Sequence, residues 1–302
     1  MSLRAFTAAD VGDQTGRTFL VTGANTGLGF ETAKVLAARG GRVVMACRSR
    51  DKAESARDAI LAETPGAGLR IVDLDLGDLA SVRAAAEAVA DEAIDVLVNN
   101  AGLMMPPLQR TADGFEAQFG VNHLGTFALT GLVLPQMLER EGSRVVITSS
   151  NAHKSGQIDF RDPQAERSYG RWSRYSMSKL ANLLHQQELQ RRLEAAGAST
   201  IAVACHPGAA ATELSRHMPG PIGMLTPLAR PFLNSAAEGA YPTLAAATSA
   251  QVKGGDYLGP DGIGEWSGKA RHVQPSRRAR DQRLAERLWD LSRRATGVTY
   301  PV

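Results

Sequence analysis

The chain has 302 residues, 43% of them hydrophobic, and a formal net charge of only +3. Its length and apolar content suit one large α/β domain over residues 1–302, with no internal repeat and no long Pro, Ser or Gly linker to divide it. It has two cysteines, no run of about 18 apolar residues and no charged-then-apolar start, which argues against a disulfide framework, membrane spanning and secretion and for a reducing cytoplasmic setting.

Residues 18–21 are a β-prone run that leads into Gly23-Ala24-Asn25-Thr26-Gly27-Leu28-Gly29 and then into a helical pattern over residues 30–39. Strand, glycine turn and helix in that order let amides at a helix N-terminus approach a pyrophosphate, because no Cβ intervenes. A plain surface turn is the competing reading. Further apolar runs at residues 42–46, 69–73, 94–98, 144–148 and 200–204, with a weaker one at 256–258, read as strands. Cys47 and Cys205 end two of these runs, which marks them as buried free thiols. Helical patterns at residues 51–63, 78–90, 112–140 and 172–196 lie between the strands, punctuated by Pro65, Gly77 and Gly142. The alternation predicts a Rossmann-type doubly wound parallel sheet of about seven strands with helices on both faces.

Within the last long helical pattern, Tyr175 and Lys179 stand four residues apart and share a face. A phenol is a poor acid or base at neutral pH until a cation stabilises its phenolate, and the lysine supplies one. Alone, this spacing is weak evidence and favours a solvated helix face. Residues 219–231 are rich in Pro and Gly, as expected of a lid, here placed at residues 212–235. From Lys269 to Arg294 nine Lys or Arg stand against three acids, a local +6 that leaves −3 for the rest. Leu284, Leu288 and Leu291 recur there at helical spacing, so the basic segment 277–296 reads as a docked helix with solvated arginines. A single aromatic residue, Trp289, stands among them, too few for a stacking platform, which disfavours nucleic acid as a partner. His153 and His206 lack convergent ligands at useful spacing, so no metal site is expected.

Thr22 to Gly29, Asn99-Asn100-Ala101-Gly102, Ser149-Ser150, Tyr175 to Lys179 and His206-Pro207-Gly208 together resemble the short-chain dehydrogenase/reductase family. Ala46-Cys47-Arg48, Val121-Asn122-His123-Leu124-Gly125, Ser149-Ser150-Asn151-Ala152-His153 and Lys179-Leu180-Ala181-Asn182 are similar to its retinol dehydrogenase-like and WW-domain oxidoreductase-like branch. The resemblance implies a catalytic tetrad of Asn122, Ser150, Tyr175 and Lys179. In it Tyr175 exchanges a proton with a substrate oxygen that Ser150 holds, Lys179 lowers the Tyr175 pKa and binds the nicotinamide ribose, and Asn122 stabilises a water. Strand alternation lets only one of Ser149 and Ser150 face the cleft. The resemblance also implies cofactor contacts from Gly23, Asn25, Thr26, Gly27, Leu28 and Gly29, from Asp75 and Leu76 at the adenine, and from Asn100, Ala101 and Gly102 beside the ribose. Pro207, Gly208 and Thr212 complete them. Asp75 could instead cap the helix that begins near Asp78, and Asn122 could be a buried tie between helix and strand.

The second strand ends Met45-Ala46-Cys47-Arg48, with Arg50 and Lys52 following and no carboxylate where an NAD site places one. That charge pattern makes NADP(H) the expected cofactor, with NAD(H) as the alternative. Apolar content at residues 103–108, around 153–158 and at 214–233 points to a small hydrophobic alcohol, aldehyde or ketone as substrate. Pairing through the patterns at 112–140 and 172–196 would give a homodimer or homotetramer, as the resemblance implies. The competing functions are a sugar-nucleotide epimerase or dehydratase and a catalytically silent NADP-binding regulator.

Overall fold

Phe19-Leu20-Val21 and Val96-Leu97-Val98 carry apolar side chains on both sides of an extended chain, so each run must be covered twice. The computed structural model describes residue 3, residues 5–209 and residues 234–302, and it meets that demand with one sheet between two helical layers. Strands β1 (Thr18–Thr22), β2 (Arg42–Cys47), β3 (Leu69–Asp73), β4 (Ile94–Asn99), β5 (Arg144–Thr148), β6 (Ile201–Cys205) and β7 (Tyr257–Pro260) are parallel and lie in the order 3-2-1-4-5-6-7. An eighth strand, β8 (Ala270–His272), pairs antiparallel with β7 at the edge, one more than the sequence predicts. Three residues are too few for a period to show.

Among the described residues the α-helices are α1 (Gly27–Ala38), α2 (Arg50–Glu63), α3 (Leu79–Ala88), α4 (Ala117–Phe119), α5 (Thr126–Val133), α6 (Arg171–Ala195), α7 (Ala236–Gly239), α8 (Tyr241–Thr248) and α9 (Gln282–Thr296). On one face Leu36, Ile60 and Leu244 share a core with Phe19 and Val21. On the other, Val82, Phe127, Leu189 and Trp289 share one with Leu20 and Leu97. Among the described residues no helix is long and apolar enough to cross a membrane.

Residues 112–140 do not form the single helix expected of them. Helical structure begins only at Ala117, passes through a π-helical turn at Gly120–Gly125 between α4 and α5, and ends in a 3₁₀ turn at Leu134–Gln136. Thr111 delays the start: its amide donates to the Phe115 carbonyl (2.9 Å) and its hydroxyl accepts from the Phe115 amide (3.1 Å), which closes a turn first. Glu116 then caps α4, its carboxylate accepting the Gln118 and Phe119 amides at 2.9 Å each. The cap of α3 is Asp78, which accepts from the Ala80 and Ser81 amides, whereas Asp75 bonds the Gly77 amide. From β1 the chain steps outward to β2 and β3 and returns to β4 on the other side, so a crevice opens at the carboxyl ends between β1 and β4.

Candidate active site

The β1–α1 turn is built for close approach. Gly23 and Gly27 take φ of 67° and 56°, which a Cβ disfavours, and a Cβ on Gly29 would collide with the Gly23 carbonyl oxygen. The Thr22 hydroxyl accepts the amides of Asn100 and Ala101 at 3.0 Å each, and Asn100 Nδ2 donates to the Thr22 carbonyl (2.9 Å). These bonds lock the ends of β1 and β4 together beside a cleft of about 370 Å³. Gly23, Asn25, Thr26, Gly27 and Leu28 line one side of it, Asp75 and Leu76 another, and Asn100, Ala101 and Gly102 the floor. Thr26, the N-cap of α1, makes no side-chain cap bond, so the first-turn amides are left for a ligand. A helix N-terminus, left-handed glycines and no intruding Cβ fit a dinucleotide pyrophosphate.

Arg48, Ser49 and Lys52 line the same cleft beyond β2. Arg50 is engaged, 2.8 Å from Asp73, whereas Arg48 and Lys52 are exposed and have no ion-pair partner among the described residues. Ser49 was not singled out by sequence, and Met104 was expected only within the apolar substrate wall 103–108, not in this cleft.

The four groups of the expected tetrad lie close to one another. Tyr175 and Lys179 are buried on α6, with the ammonium 5.8 Å from the phenol ring centroid and donating to the Thr148 carbonyl (3.3 Å). Burial lowers Lys179 to about 8. Burial also pushes the Tyr175 phenol up, and the Ser150 hydroxyl facing it pulls the other way. The lowering that was expected from Lys179 therefore comes instead from Ser150, and desolvation outweighs it. Ser149 is turned away, its hydroxyl donating to the Lys179 carbonyl (2.8 Å), so strand alternation leaves Ser150 for the cleft. Asn122 sits in the π-turn, where its Oδ1 accepts the Leu103 amide (2.6 Å) and its Nδ2 donates to the Leu103 carbonyl and the Ser178 hydroxyl, both at 2.9 Å. In this structure it is a tie between the β4 loop and α6. A π-turn of this kind often marks a functional site.

Residues 206–209 follow β6. Gly208 has φ of 72° and packs on the Trp266 carbonyl, which also accepts the Ala209 amide (2.8 Å). Thr212 and almost all of the expected lid fall outside the described residues. The loop holding Trp266 also carries Glu265, missed by sequence reasoning, which pairs with Lys154 at 3.1 Å and lies 3.1 Å from His206 Nε2. Those neighbours hold the Glu265 carboxyl at about 2 despite its partial burial. His206 Nδ1 accepts the Gly208 amide, so the ring proton is on Nε2, facing that carboxylate. His153 is buried between the Ser150 carbonyl and the Ser276 amide and is not part of a substrate wall. From that segment it is Ala152 that packs on Tyr175, with Met105.

A family model described as short chain dehydrogenase matches residues 17–220. The chain belongs to the short-chain dehydrogenase/reductase family. It is 42% identical over 291 residues to retinol dehydrogenase 12 of Homo sapiens, covering 94% of this chain and 88% of that protein. Against retinol dehydrogenase 14 of Mus musculus the identity is 40% over 309 residues, covering 96% and 88%. The crystal structure of an uncharacterised Mycobacterium Paratuberculosis protein superposes with a TM-score of 0.83 at 42% identity, covering 99% of this chain and all of that one. The chain is thus a retinol dehydrogenase-like member and an NAD(P)-dependent oxidoreductase.

Proposed function

We propose that the protein interconverts a small apolar alcohol and its aldehyde or ketone, using NADP(H) in preference to NAD(H). The observation that carries this reading is the buried Tyr175 phenol, faced by the Ser150 hydroxyl and followed one turn later by Lys179 beside the dinucleotide cleft. The nicotinamide, when bound, supplies or accepts hydride at C4. Ser150 donates a hydrogen bond to the substrate oxygen and fixes it near Tyr175. In the reducing direction Tyr175 gives its hydroxyl proton to that oxygen, and the Lys179 ammonium stabilises the phenolate left behind. Asn122 keeps the Leu103 backbone and α6 in register so that these groups stay aligned. Met104, Met105 and Ala152 beside Tyr175 favour an apolar substrate.

Arg48 and Lys52, without an ion-pair partner among the described residues, support NADP(H), since a 2′-phosphate needs a cation there. The two buried free thiols, Cys47 and Cys205, fit a reducing cytoplasm. NADPH consumption with a panel of apolar aldehydes and ketones tests the reading. Tyr175→Phe should cost about 10²- to 10⁴-fold in turnover, the usual contribution of a proton donor, with NADPH binding retained. Undiminished turnover in that variant would sink the mechanism, and tight NADPH binding without wild-type turnover would favour a regulator.

A further inference from the structure

Two side-chain amides four residues apart, Gln118 and Asn122, bridge the same two segments. Asn122 brackets Leu103 and reaches Ser178 on α6. Gln118, fully buried, accepts the Met105 amide on Oε1 (2.9 Å) and donates through Nε2 to the Arg171 carbonyl (3.0 Å) and the Tyr169 hydroxyl (3.2 Å). Tyr169 in turn donates to the Pro106 carbonyl (2.7 Å). The chain from Leu103 to Pro106 is thereby tied to α6 and its approach on both sides of Tyr175. Met105 has φ of 51°, a left-handed conformation unfavourable for a residue with a Cβ, and its side chain is buried against Tyr175 and Ala152. Such a conformation persists only where its surroundings impose it, and the bond from Gln118 is placed to do so.

We propose that Gln118 is a positioning residue that holds Met105 in its left-handed conformation over Tyr175, and that Met105 is the wall that selects unbranched over branched carbonyl substrates. The proposal rests on the oxidoreductase reading above. A substrate oxygen between Tyr175 and Ser150 brings the substituents of its carbonyl carbon toward Met105, so branching at the adjacent carbon meets that side chain.

The test uses the full chain with NADPH and two probes, hexanal and cyclohexanecarbaldehyde. Met105→Gly accepts the left-handed backbone and removes the wall; Gln118→Leu releases the backbone. Both should shift the kcat/KM ratio toward the branched aldehyde by about tenfold, the scale on which a hydrophobic pocket discriminates. A merely structural glutamine would lower both substrates alike, so an unchanged ratio in either variant overturns the proposal. Amide hydrogen exchange at Met105, read without substrate, should accelerate about tenfold in Gln118→Leu, as expected for loss of one buried hydrogen bond. Equal exchange in the variant and the wild type overturns the positioning role even if no carbonyl is turned over. Failure of every carbonyl with the wild-type chain would instead defeat the oxidoreductase reading.

Discussion

Tyr175 and Lys179 are each shifted toward the neutral form, because both are buried and burial penalises charge. Reduction needs the phenol protonated and the ammonium charged, so the sign of its pH dependence follows directly. The rate should be flat on the acid side and fall as pH rises through about 8, where Lys179 loses its proton. Oxidation needs the phenolate and should rise with pH. Initial rates in both directions across that range check this, and a reduction rate climbing on the alkaline side contradicts it. Tyr175, Lys179 and the pair Ser149-Ser150 were legible in the sequence because their relation is local: one helical turn, or one step along a strand end. Gln118 and Glu265 were not, and Met105 was legible only as one of the apolar residues 103–108. Their partners lie between 13 and 111 residues away, and no period records a side chain whose role depends on which loops the sheet brings together.

At the scale of elements, the strand–turn–helix units were readable because strands buried on both faces keep continuous apolar centres, as Phe19-Leu20-Val21 of β1, Val96-Leu97-Val98 of β4 and Val145-Val146-Ile147 of β5 do. The same apolar richness hid the π-turn. Residues 117–136 are almost wholly buried, so composition cannot distinguish one helical winding from another. Close packing sets it locally: Gly125 lies on the Leu76 carbonyl, where a Cβ would collide. The end of β2 shows how a strand terminus can set cofactor choice. Cys47 closes the strand inward, Arg48 emerges into the cleft, and Arg50 is diverted to Asp73. Arg48→Asp should therefore raise KM for NADPH by about tenfold or more, the worth of a charge-assisted phosphate contact replaced by repulsion, and leave KM for NADH nearly unchanged. Kinetic losses of equal size with both cofactors would remove the assignment.

For the whole molecule, the placement of α9 bears on self-association. On α9, Leu288 and Trp289 are buried, and Trp289 stacks edge-on with Phe127 at 5.1 Å beneath the Arg192 guanidinium at 4.5 Å. The Tyr300 hydroxyl then donates to the Phe127 carbonyl (2.7 Å) and lies 2.9 Å from His185 Nε2. As a result every residue of α6 from Arg174 to Gln186 is buried, as are seven of the eight residues of α5. Between Arg174 and Gln186, α6 is covered on all sides within one chain and has no free face there to offer a second copy. The homodimer or homotetramer implied by family resemblance would pair through these helices, and α9 packs against both of them. We therefore expect a monomer of 32.1 kDa in sedimentation equilibrium. Trp289→Ala should destabilise the fold by about 3–5 kcal/mol, as large buried aromatic truncations do, and by loosening α9 should induce self-association. A wild-type particle of twice the monomer mass, with stability that depends on protein concentration, would show that α9 does not close this surface.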